Sequence, residues 1–202
     1  MTDYDCGWTE CLATWNKGTY GVPEQIPCVE NNLPFELKGF DCDNGSEFLN
    51  HHLVRYFQDH PKGIYFTPSR PCKKNDNAHL EQNNWTHVRQ LFGYDRFDKP
   101  LLVDLMNDLY RNEWSLLHNY FCPTMKLKNK QGINSKYKRK YYQPQTPFQR
   151  LMASEHIHQE TKDTISARYQ ALNPFTLQSQ IQKKLKSIFK HIKVTSNVRQ
   201  RL

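Results

Sequence analysis

The sequence has no apolar run approaching the roughly 18 residues that a bilayer-spanning helix needs. Within these 202 residues it therefore offers no membrane partner. Its six cysteines, Cys6, Cys11, Cys28, Cys42, Cys72 and Cys122, form no Cys-x-x-Cys pair, and no apolar stretch opens the sequence as a signal peptide would. Reduced thiols in a cytoplasmic protein are the expectation. Apolar residues are also scarce, at 37% with a mean hydropathy of -0.86. That predicts one full-sized domain with an extension, and a modest core to which the 13% of aromatic residues contribute large buried areas. The most informative absence is of acid: no Asp or Glu occurs from Trp114 to Ser154, where Lys126, Lys128, Lys130, Lys136, Lys138, Arg139, Lys140 and Arg150 all fall. Residues 1–113 carry a balance of -6 and residues 114–202 a balance of +14. An acidic half able to hold cations beside a basic half able to hold phosphates suits an enzyme acting on nucleic acid.

What is present reads as alternating strands and helices. Trp8–Trp15 mixes β-formers with polar residues and predicts a strand. Tyr20–Asn32 has the length of a helix, but Pro23 and Pro27 interrupt it and predict a short or irregular one. Phe35–Asp41 predicts a strand, Ser46–His60 an amphipathic helix, and Gly63–Thr67 a short strand closed by Pro68. His79–Phe92 carries an apolar helical stripe in which Trp85, Val88 and Phe92 are expected to face the core. Pro100–Phe121 reads as a longer core-facing helix, Cys122–Gln149 as an extended, basic, Tyr-rich segment, and Phe175–Lys193 as a final helix with lysines around an apolar face. For that helix, dimerisation, packing on the core, and phosphate or membrane binding are all open, with core packing plus DNA contact favoured. The order argues for an α/β layer fold with the sheet between helices.

The stretch Gly39–Asn50, GFDCDNGSEFLN, carries the chemistry. Asp43 follows a predicted strand, and strand ends in open sheets are where ligands sit. Glu81 falls in the first turn of a predicted helix, where the dipole favours negative charge. Two such carboxylates meeting at one sheet edge would bind hard cations, and Mg²⁺ suits a site that also takes phosphate oxygens. A pair of ions about 4 Å apart would activate an attacking hydroxyl and stabilise a leaving oxygen. The run Lys136–Tyr142, KYKRKYY, combines cations for phosphates with rings for stacking on bases. His51 and His52 are adjacent and point apart on a helix, so they make a poor shared metal site.

The run DCDNGSEF, followed after 37 intervening residues from Asp43 to Glu81 by KKNDNAHLEQNNW, resembles the catalytic core of the integrase and transposase superfamily. The likeness continues through RQLFGYDRF, YFCPTMKLKNK and QTPFQRLMAS, and covers roughly residues 1–153. It is closest in kind to bacterial insertion-sequence transposases of the retroviral-integrase type, which use an Asp, Asp, Glu triad on a ribonuclease H-like fold. The resemblance implies a mixed sheet flanked by helices, a catalytic-core portion at residues 1–122, a basic extended segment at 123–153 and a C-terminal helical extension at 154–202.

By the same resemblance Asp43 is the second triad carboxylate and Glu81 the third, both catalytic and both ligands of Mg²⁺ or Mn²⁺. Lys73, Lys74, Asn75 and Asn77 would line the DNA backbone beside Glu81, and Lys136, Lys138, Arg139 and Lys140 would add DNA contacts. The implied partners are DNA, as transposon ends and target, together with a second copy of the chain or an intact transposase. The strand that bears the first triad Asp in such enzymes has no counterpart in this sequence, and Asp3 and Asp5 match a turn position. The expectation is an N-terminally truncated copy with impaired DNA cleavage and strand transfer; the alternative is a noncatalytic DNA-binding or oligomerising fragment.

Overall fold

The computed structural model describes residues 1–15, 21–42, 51–68, 84–133 and 136–199. More than half of these are helical, and the strands form two separate two-stranded sheets, so the chain is mixed α/β. Among the described residues, the sheet expected between helices consists of two parallel strands, β1 (Gly39–Cys42) and β2 (Tyr65–Pro68), in register from Gly39 with Tyr65 to Cys42 with Pro68. Helix α2 (His51–Gln58) lies between them in sequence, as a parallel crossover requires. Phe40 of β1 stacks on Phe57 of α2 at 4.7 Å between ring centroids. Around that pair Cys42, Leu53 and Ile64 are buried.

Helix α1 (Gly21–Asn32) adds Ile26 to this core, and it runs for 12 residues with Pro27 inside it. The expectation of a short or irregular helix is corrected here. Pro23 falls in the first turn, where an N–H has no intrahelical acceptor. Pro27 costs one backbone bond, which the burial of Ile26 and Val29 on either side offsets.

The expected strand Trp8–Trp15 is extended, but among the described residues it joins no sheet beyond an isolated antiparallel bridge from Thr2 to Thr9. Asp3 closes the turn between them: its Oδ2 accepts from the Cys6 amide at 2.6 Å, and Gly7 supplies the positive φ of +79° that the turn demands. The backbone groups that a neighbouring strand would satisfy go to side-chain amides on helix α4. This helix runs continuously through Pro100–Leu109, a π-helical turn at Tyr110–Trp114, and Ser115–Phe121. Thr9 N–H donates to Asn119 Oδ1 at 2.8 Å, and Asn119 Nδ2 donates back to Thr9 O at 2.9 Å. Asn107 repeats the pattern on Ala13, at 2.7 and 3.1 Å.

Twelve residues separate the two asparagines, and in a uniform α-helix they would sit about 120° apart around the axis. The π-turn between them absorbs one residue and brings them to within about 20° of one face. Both can then grip the same extended segment. The same device acts in α3, a π-helical turn at Trp85–Arg89 that continues into Gln90–Phe92. Phe92 is buried and Val88 packs on the core as expected, but Trp85 is 51% exposed and lies beside Tyr94, while His87 takes the buried place. The wider turn shifts the stripe that a 3.6-residue period predicts.

The final helix, α7 (Pro174–Arg199), packs on α4. Ile181 and Ile188 are buried with Leu102, Met106, Leu109 and Trp114. Lys184 fixes the crossing with ion pairs to Asp108 at 2.5 Å and Glu113 at 2.6 Å. Burial pulls the Lys184 ammonium down, but its hydrogen bonds to the two carboxylates leave it above its ordinary pKa. Core packing is thus the observed role of this helix.

Two helices lie within or beyond the segment expected to be extended: α5 (Pro147–Ala153) and α6 (Gln159–Ala171). Helix α5 begins with a capping box in which the Thr146 hydroxyl accepts from the Gln149 amide while the Gln149 side chain accepts from the Thr146 amide. Leu151 and Ile165 bury Trp8, Cys6 and Tyr120 in a third cluster.

Asn119 is fully buried, so truncating it leaves the Thr9 N–H and C=O without partners. Asn119→Ala is expected to destabilise the fold by roughly 2 to 6 kcal/mol, from about one to three for each of the two orphaned groups. Asn119→Asp, which keeps the acceptor but sets a buried carboxylate oxygen against the Thr9 carbonyl, should cost at least as much in urea denaturation at neutral pH.

Candidate nucleic-acid interface

The acid-free segment folds into an antiparallel ribbon of β3 (Leu127–Ile133) and β4 (Lys136–Tyr141). Every side chain described along it is exposed. Its cations divide by task. Arg150 and Lys126 build the root of the ribbon. The Arg150 guanidinium donates to Thr124 Oγ1 at 2.8 Å, to the Thr124 carbonyl and to the Cys6 carbonyl at 3.2 Å. The Lys126 ammonium donates to the Tyr4 carbonyl at 2.9 Å and to that of Asp5. Thr124 and Gln145 form a further bridge at the base.

Lys130 lies over the Tyr137 ring at 4.2 Å from the centroid and Lys128 over Tyr142 at 5.4 Å, so these two cations are held by rings. Lys138, Arg139 and Lys140 are exposed and have no carboxylate partner among the described residues. Lys136 pairs through its backbone with Ile133 at the ribbon's far end. Four of the expected DNA-contacting residues therefore meet on one strand.

The remaining expected site residues, Asp43, Glu81, Lys73, Lys74, Asn75 and Asn77, lie outside the described residues. Asp43 immediately follows the last residue of β1 in sequence. Among the described residues no group of three or more His, Cys, Asp or Glu could hold a metal ion. Asp41 accepts a hydrogen bond from Thr67 across β1 and β2. Asp3 accepts from the Cys6 amide in its turn. His51, His52, His156 and His158 are exposed.

No protein-family model matches the chain, and no solved structure matches it. Over 150 residues, 74% of the chain, it is 33% identical to the Uncharacterized protein y4rM of Sinorhizobium fredii. The chain spans 42% of that protein's length.

Beyond the ribbon, the described surface offers an open polar groove of about 490 Å³ lined by residues of α1 and α4 including Gln25, Cys28, Asp104 and Arg111. Its Asn107 and Asp108 are committed to Ala13 and Lys184. Cys6, Cys11, Cys28 and Cys122 are free thiols, and burial, with Asp3 nearby, pushes Cys6 up to about 12, while burial takes Cys11 to about 11. Neither is a thiolate nucleophile near neutral pH. No described helix is long and apolar enough to cross a membrane.

Sequence reasoning missed a buried aromatic cluster. His118 stacks on Trp114 at 4.8 Å, and His87 meets both edge-on at 4.7 and 5.2 Å. The i, i+4 spacing of Trp114 and His118 was the available signal. Burial pushes both imidazoles down to about 4, with His87 adding to the effect on His118. The unfolded chain takes up these protons first, near pH 6.5, so their contribution to stability is complete above that value and declines as pH falls toward 4. Each histidine should cost on the order of 2 kcal/mol at pH 5. Urea midpoints measured from pH 7.5 to 5 are expected to fall more steeply in the parent than in a His87→Leu/His118→Leu variant.

Proposed function

We propose that the chain acts in DNA integration as the catalytic-core portion of an Asp-Asp-Glu-type transposase or integrase with a ribonuclease H-like arrangement. The observation that carries the nucleic-acid part of this reading is the exposed, acid-free β3–β4 ribbon with Lys138, Arg139 and Lys140 uncommitted. The strand-transfer part rests on the sequence interval from Asp43 to Glu81 and is supported by the β1–α2–β2 unit, whose first strand ends one residue before Asp43. In this reading Asp43 and Glu81 hold Mg²⁺ or Mn²⁺, which when bound would activate the attacking hydroxyl and stabilise the leaving oxygen of a phosphodiester. Lys73, Lys74, Asn75 and Asn77 line the DNA backbone near them. The ribbon holds a second stretch of backbone, and a second copy of the chain or an intact transposase supplies the partner.

A second reading, a noncatalytic DNA-binding or oligomerising fragment, is favoured by one observation. The sequence motif supplies two carboxylates, and Asp3, which the resemblance matches to a turn position, accepts from the Cys6 amide in a turn. Two carboxylates without a third ligand hold a divalent ion weakly.

Strand-transfer assays with Mg²⁺ or Mn²⁺ separate the two. Slow metal-dependent joining that Asp43→Asn abolishes, with duplex binding retained, is the expected result; binding without any joining assigns the noncatalytic role. In either case Lys138→Gln/Arg139→Gln/Lys140→Gln is expected to weaken binding at least ~10-fold and to reduce the slope of log K against log salt by about 3.

A further inference from the structure

Taking as its premise that the ribbon binds DNA, the geometry points to one occupant: a B-form duplex whose major groove receives the β3–β4 ribbon. The backbone register divides the ribbon into two faces, because residues directly opposite share a face and successive residues alternate. Lys130 opposes Arg139 and Gly132 opposes Tyr137, which puts these four on one face. Asn129 opposes Lys140 and Gln131 opposes Lys138, which puts these four on the other.

The first face is poorly suited to a single strand. Proteins that hold single strands stack successive bases on open aromatic rings. Here the Tyr137 ring, 66% exposed, already carries the Lys130 ammonium and lies against β3, where a Cβ added at Gly132 would sit 3.6 Å from it. Tyr142 likewise carries Lys128. The rings steady cations on a ribbon that is otherwise uncovered.

The second face suits base edges. It alternates side-chain amides with ammonium groups, and side-chain amides pair with adenine in the major groove. That groove, about 12 Å wide, admits a two-stranded ribbon. Seven residues of β3 extend roughly 20 Å along it. Cations flank the amides and reach the phosphates on either rim. Duplex RNA presents a major groove too deep and narrow for this entry. The root held by Arg150 and Lys126 fixes the ribbon's angle of approach to the rest of the chain.

The test uses the full chain and fluorescence anisotropy with a two-turn duplex DNA, its single strand and a duplex RNA of the same sequence. Methyl green competes for the major groove and distamycin for the minor groove. The expected results are duplex DNA bound at least ~10-fold more tightly than either other form, displacement by methyl green and not by distamycin, and a similar ~10-fold loss in Asn129→Ala/Gln131→Ala at an unchanged salt slope. Both substitutions are at exposed positions, and the competition needs no variant. Equal or tighter binding of the single strand or the RNA, or displacement by distamycin alone, overturns the groove assignment and leaves the DNA-binding reading standing. Failure to bind any nucleic acid overturns both.

Discussion

The interaction on which the rest of the structure depends is the pairing of an extended segment with asparagine amides on a helix. Thr9 and Ala13 present the donors and acceptors of a β-strand, and Asn119 and Asn107 answer them from α4. Once the segment is fixed, Trp8 and Cys6 form the floor on which Tyr120, Leu151 and Ile165 close. Glu10 is buried beside it, accepting from the Trp8 indole at 2.9 Å and the Ser115 hydroxyl at 2.7 Å. Burial raises its pKa, and those two hydrogen bonds pull it back. Asn119 also donates to the Ser115 hydroxyl, so a polar chain continues from the clamp to the carboxylate. A network of this kind specifies one arrangement because every unmade bond in it is costly.

The clamp also positions the ribbon. The turn that precedes Thr9 offers the carbonyls of Tyr4, Asp5 and Cys6 to Lys126 and Arg150, which leave the ribbon's base at a fixed place. A two-stranded hairpin alone is marginal in water, and every described side chain along this one is exposed. Its persistence rests on its root and on lysines lying over tyrosine rings. The basic residues of one segment thus do unlike things: some bond carbonyls, some lie on rings, and Lys138, Arg139 and Lys140 face solvent.

Much of the architecture was legible in the sequence. The helix at Pro100–Phe121, the strand before Asp43, the short strand near Pro68 and the final helix follow from apolar period and from Gly and Pro punctuation. The concentration of cations in an extended, Tyr-rich segment was equally plain. Helix α5 could have been read from Thr-Pro-Phe-Gln, a capping-box sequence with proline at the first helical position. Other features could not be read so directly. Trp85 is exposed and His87 buried because a π-turn changes the period locally, and α1 keeps its length because Pro23 falls in the first turn and burial of Ile26 and Val29 offsets the bond lost at Pro27.

By itself the sequence determined the segregation of charge, the positions of most helices and strands, and the Asp43 to Glu81 interval that carries the resemblance to integrases and transposases. These are local in the chain: period, composition and spacing set them without reference to distant residues. Tertiary structure alone decided that Trp8–Trp15 pairs with asparagines, that Asn107 and Asn119 share a face, and that Lys126 and Arg150 of the acid-free segment are bound to carbonyls. The physical reason is that a buried backbone group must find a partner but does not dictate which one. That choice depends on what the fold brings within about 3 Å of it.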